Sequence, residues 1–90
     1  MTLAELDQRT PSGATVTWAE FAALVAEADT VCVCFYAVSN DPREPLVGRA
    51  ISIPKEAALA RAENGQRWHP LGDERVNVYA ASGTLFFGGR

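Results

Sequence analysis

The chain has 90 residues, 48% of them hydrophobic and 21% charged, with a net charge of −3. That length makes one domain, and size scaling gives such a chain roughly 5,100 Å² of folded surface against about 14,000 Å² unfolded, a core that needs no staples. The acidic balance opposes phosphate-driven nucleic-acid binding, and the carboxylates are too scattered for a DNA mimic. No apolar run approaches the ~20 residues that span a bilayer, and the first residues, with Glu5 and Asp7 early, do not read as a signal peptide. The expectation is a cytoplasmic chain with no membrane contact.

Residues 1–14 end in Thr10-Pro11-Ser12-Gly13 and read as a flexible N-terminal tail, with at most a helical turn at Leu3–Leu6. Residues 15–90 then form a single α+β domain. Its first helix starts at Thr17: Thr17-Trp18-Ala19-Glu20 is a capping box, with Val16 and Phe21 at the staple positions. Phe21, Leu24, Val25 and Ala28 continue at helical spacing.

The stretch Thr30 to Val38 is a strand apolar on both faces. Val31, Val33, Phe35 and Ala37 point one way, and Cys32, Cys34, Tyr36 and Val38 the other. A strand with one wet face alternates, so this one is expected inside its sheet, with a second layer, subunit or partner over its other face. Cys32 and Cys34 lie two residues apart on one face, with Cβ atoms ~6–7 Å apart against the ~3.8 Å of a disulfide. They are expected as reduced, buried and unreactive thiols.

After the turn-forming Ser39 to Pro45, Leu46 to Ile53 resume as a strand. Pairing Ala37 with Val47 brings Val33 to Ile51 and Val31 to Ile53. The same register puts Arg49 opposite Phe35 on the apolar side, which counts against it. Pro54 suits a helix start, and Lys55 to Asn64 reads as an alanine-rich helix stopped by Gly65, with a loop from Gln66 to Glu74. Arg75 to Ala81 and Thr84 to Gly88 flank Ser82-Gly83, a two-residue hairpin turn that sets Tyr79 opposite Phe86. The order α-β-β-α-β-β, two similar helix-plus-hairpin units, suggests a four-stranded antiparallel sheet with both helices on one face.

Catalytic and metal signals are weak. Cys32, Cys34 and His69 lack the spacing of a zinc site, and a mid-strand cysteine seldom has the electropositive setting of a reactive thiolate. No phosphate loop or cofactor motif is present, so the chain reads as non-enzymatic, with no cofactor and no metal. What remains is an aromatic sheet face. Tyr36, Tyr79 and Phe86, with Asn77, form the expected anchor, and Trp68 and the loop residues Asp41, Arg43 and Glu44 extend it. The function expected is binding of a protein partner by a small acidic module, of the kind that serves as an inhibitor, immunity protein, phage anti-defence (anti-CRISPR type) protein or adaptor. A homodimer through the same face is a variant of this reading. The alternatives are a ligand-binding or thiol-dependent catalytic domain using Cys32 or Cys34 with His69, and a single-strand nucleic-acid binder that stacks bases on the aromatics but lacks the basic residues to go with them.

Overall fold

A computed structural model describes every residue except Thr10, Pro11, Glu44, Asp73, Gly89 and Arg90, together with the side chains of all described residues but Val38 and Val47. The elements are α1 (Leu3–Gln8), β1 (Ala14–Val16), α2 (Trp18–Glu27), β2 (Thr30–Val38), β3 (Leu46–Ile53), α3 (Lys55–Trp68), β4 (Val76–Ala81) and β5 (Thr84–Gly88). The architecture is α+β: three helices and a five-stranded mixed sheet of order β1-β4-β5-β2-β3 among the described residues.

Local chemistry accounts for the helix ends. The capping box forms as read: Glu20 N–H donates to Thr17 Oγ1, and Thr17 N–H donates to Glu20 Oε1, both at 3.2 Å. The hydrogen bonds from Thr17 hold the Glu20 carboxyl below its ordinary range. Val16 and Phe21, the staple residues, are both buried. At the other end of α2, Lys55 Nζ donates to Ala28 O at 2.8 Å, placing a cation on the last carbonyls of the helix.

Both expected hairpin registers hold. β2 pairs with β3 through Val31–Ile53, Val33–Ile51, Phe35–Arg49 and Ala37–Val47. β4 pairs with β5 through Tyr79–Phe86 and Ala80–Leu85. The two turn residues, Ser82 and Gly83, have φ of 52° and 84°, the left-handed pair that a two-residue hairpin with matching twist requires.

The four-stranded, wholly antiparallel sheet with two helices is corrected in three respects. β5 runs parallel to β2, joining Val31 to Leu85, Cys32 to Phe86 and Val33 to Phe87. A fifth strand, β1, pairs with β4 through Ala14–Val78 and Val16–Val76. The stretch expected as a tail also forms α1, whose Leu6 is fully buried in the core cluster. The physical reason lies in the crossovers. β1 and β2 run one way with α2 between them, while β3 and β4 run the other way with α3 between them. One shared hand of crossover puts both helices on the same face, and the short β5 then fills the gap between β4 and β2.

The core lies on that face. Phe21, Leu24 and Val25 of α2 and Ala58 and Ala62 of α3 meet Val31, Val76, Val78, Ala80, Leu85 and Phe87. The Phe21 and Phe87 rings sit 4.7 Å apart, and the Arg61 guanidinium lies over Phe87 at 5.6 Å.

Gly65 does not stop α3, which continues to Trp68. It is buried, and a methyl group there would overlap the Trp18 indole. The glycine is in place to bring the helix against that ring. Gly65→Ala should therefore lower stability by about 1–3 kcal/mol through overpacking, although alanine in a helix interior otherwise gains about 1 kcal/mol over glycine. A thermal melt showing the variant equal to or above the parent would contradict this contact.

Candidate protein-binding surface

The sheet face away from the helices is uncovered among the described residues. Side-chain alternation places Tyr79, Phe86, Cys32 and Ser52 in one row across four strands. Thr15, Asn77, Gly88, Cys34 and Ala50 form the next row, and Tyr36 and Gly48 the one beyond. Tyr79 and Phe86 stack with ring centroids 4.6 Å apart and planes 5° from parallel, an arrangement typical of favourable aromatic pairs. Tyr36 is 56% exposed, and its ring lies above Gly48, where the missing side chain leaves it room.

A cleft of about 540 Å³ opens on this face where β5 ends. The described residues lining it include Thr15, Cys34, Tyr36, Asn77 and Tyr79, and among them the one charged residue is Arg49, which borders the gap from the other face of β3. Gly88, with φ of 96°, ends β5 against the Cys34 carbonyl, so close that a Cβ would lie 2.8 Å from that oxygen. Only glycine combines that backbone conformation with that approach.

The two cysteines are free, as expected, but they are not buried: both are half-exposed on the open face. They stand on β2 inside the sheet, where strand neighbours satisfy the backbone, and they keep part of their surface accessible. Cys34 Sγ and Tyr79 Oη share a hydrogen bond at 3.9 Å. Burial, followed by that hydrogen bond to the sulfur, raises the Tyr79 phenol above its ordinary value of 10.0.

The structure thus brings Tyr36, Tyr79 and Asn77 onto one cleft, with Phe86 stacked beside it. It does not bring the other expected residues there. Trp68, 77% exposed at the end of α3, lines a separate cleft on the helix side with Trp18, Arg61, His69 and Glu74. Asp41 and Arg43 lie at the tip of the β2–β3 hairpin, where the Asp41 carboxylate accepts the Arg43 N–H at 2.9 Å. Glu44 falls outside the described residues. His69 also sits on the helix side, its Nε2 3.2 Å from Glu74 Oε2, and the same carboxylate oxygen accepts the Trp18 indole N–H at 2.6 Å. The histidine and the two thiols therefore occupy opposite faces of the sheet, and the Cys–His pairing considered from the sequence is not assembled.

The sequence places Cys34 on the Tyr36 face by alternation, but it does not mark Thr15 or Arg49 as lining the cleft. Thr15 belongs to a three-residue strand, too short for a periodic signal. Arg49 had counted against the hairpin register. The register is right, because the hairpin runs past the helices: Phe35 is 40% and Ile51 53% exposed on the helix side, so the arginine there reaches water.

Among the described residues, no group of three histidine, cysteine or carboxylate side chains is placed to hold a metal ion, and no helix is long and apolar enough to cross a membrane. Compared with protein-family models, curated proteins and solved structures, the chain matches none.

The Tyr79 environment has a measurable consequence. In a Tyr36→Phe background, phenolate absorbance should titrate above 10.0, and Cys34→Ala should lower the midpoint only in part, since burial is the larger cause. The sign for stability follows: the unfolded chain loses its phenol proton first, so this contribution is complete below pH 10 and is lost as pH rises through the folded value. A midpoint at or below the ordinary value would show that the ring is solvated.

Proposed function

We propose that this chain is a non-catalytic protein-interaction module that binds a protein partner through its open sheet face. The observation that carries the reading is the pairing of an exposed aromatic set, Tyr36 and the Tyr79–Phe86 stack, with a cleft whose described lining holds a single charged residue. Binding interfaces draw most of their energy from a few aromatic anchors in such settings, with polar groups at the rim. Here Thr15 and Asn77 supply the rim. An inhibitor, immunity or anti-defence protein, or an adaptor, works through a surface of this kind.

Thiol-dependent catalysis has less to support it, because His69 is engaged with Glu74 on the other face. Nucleic-acid stacking lacks the cations that neutralise phosphates. The fit is to a partner that presents a neutral, apolar patch.

Tyr36→Ala is the cleanest test, since the ring is exposed and its removal leaves the core intact. A loss of about 2 kcal/mol in partner affinity, about 30-fold, is expected with little change in the melting temperature. Tyr79→Ala should weaken binding similarly, while Phe86→Ala, half-buried under the stack, should also cost stability. Comparative capture from a native-host lysate with wild-type and Tyr36→Ala baits, followed by direct titration of the captured protein, gives the readout. Equal affinity for all three variants would remove this face as the binding site.

A further inference from the structure

We infer that the outer edge of β3 is a self-pairing edge, through which two copies of the chain join into one continuous ten-stranded antiparallel-seamed sheet. β3 ends the sheet and pairs only with β2 among the described residues. The direction of its free backbone groups follows from one bond at the hairpin. Ser39 N–H donates to Pro45 O at 2.9 Å, which makes Ser39–Pro45 a hydrogen-bonded pair of the ladder. Hydrogen-bonded and open pairs alternate, so Val47, Arg49, Ile51 and Ile53 bond to β2. The N–H and C=O groups of Leu46, Gly48, Ala50 and Ser52 then point outward.

Edges that stay alone are usually guarded by shortness, proline, lysine or a bulge. β1, at the opposite edge, is three residues long. β3 is eight residues with unbroken register, no proline, no lysine and a single charge, Arg49. Leu46 and Ile51 are both more than half exposed along it.

The small residues Gly48, Ala50 and Ser52, centred on Ala50, suit the strand to a second copy of itself, and Arg49 sets the register. Antiparallel self-pairing about Arg49 would set two guanidiniums opposite each other at the closest cross-strand spacing, which is unfavourable. Moving the two-fold axis one residue, to Ala50, takes the two arginines out of the directly opposed pair to diagonal positions ~7–8 Å apart, where their long side chains turn away into water, and keeps almost the whole strand paired. Ala50 then faces Ala50 of the second copy, Gly48 faces Ser52, and Arg49 faces Ile51. Every outward group of Gly48, Ala50 and Ser52 gains a partner, and the small side chains on the open face leave the seam unobstructed. Because the axis is perpendicular to the sheet, both open faces stay on the same side. The dimer would therefore present two copies of the aromatic cleft on one surface. This inference stands apart from the binding reading of that cleft.

The test combines mass with amide exchange. Light scattering after size exclusion should give twice the 9.7 kDa chain mass at high concentration, falling toward a single chain on dilution. Over the same range the Gly48, Ala50 and Ser52 amides should be protected from hydrogen exchange and lose protection on dilution, while the Arg49 and Ile51 amides, bonded to β2, should stay protected. Ala50→Pro removes an outward N–H that β2 does not use, so it should give a folded single chain. Tyr36→Ala should remain a dimer. A single-chain mass at every concentration with fast exchange at Ala50 and Ser52 would overturn the proposal, whether or not Ala50→Pro folds. So would a dimer that survives Ala50→Pro, or one that Tyr36→Ala abolishes, which would place the contact on the sheet face.

Discussion

The parallel ladder between β2 and β5 is the seam on which the rest of the molecule depends. Among the described residues, it alone joins the β2–β3 hairpin to the β1–β4–β5 part of the sheet. By setting Cys32 beside Phe86, it extends the Tyr79–Phe86 pair into a row that crosses four strands. By ending at Gly88 opposite Cys34, it opens the cleft and leaves the outer half of the hairpin with no described strand on that side. The length of a five-residue strand thus decides both where a partner can seat and how far the hairpin projects.

The two faces divide the labour by side-chain size. On the helix side, large groups from α2 interlock with Phe87, Leu85 and Val31, and α3 supplies mainly small residues that let it lie close. Its few long contacts are specific: Arg61 over Phe87, Lys55 on the end of α2, and the Trp18 ring set against Gly65 and tied by Glu74. With only this much helix, cover stops near Val33, so Phe35 and Ile51 beyond it are solvated. The surface of 5884 Å² exceeds the ~5,100 Å² expected of a compact chain of this mass, and the 41 × 29 × 23 Å extents fit a body with a projecting arm.

The open face has the opposite character. Glycine, alanine, serine and cysteine form its floor, and aromatic rings stand over them. Such a floor buries little by itself, so the rings keep exposed area that a packed layer would remove. The Cys34–Tyr79 contact shows the intermediate polarity of the place: shielded enough to raise the phenol above its ordinary value, open enough that both thiols keep accessible surface.

What the sequence determined by itself was whatever rests on neighbours in the chain. Thr17 and Glu20 are three residues apart, and the cap formed. Ser82-Gly83 leaves one way to close a hairpin, and Tyr79 met Phe86. The alternation of β2 against β3 specified a register that held even at Arg49, a charge on an otherwise apolar face. Tertiary structure decided what depends on distant partners. Val16 and Ala14 became strand only because β4 offers an edge, and Leu6 became core only because α1 packs where the sheet and α2 meet. Gly65 was read as a stop by its propensity, but the Trp18 ring 47 positions away in the chain made it a point of helix contact. The parallel β2–β5 pairing left no local mark, since two strands separated by a crossover can meet in either direction at little difference in propensity. For the same reason Trp68 and His69, close in sequence to nothing on the open face, went to the helix side, while Thr15 arrived at the cleft. Side-chain chemistry can be read along a chain, but which of those chemistries share one surface is set by the order in which the strands lie.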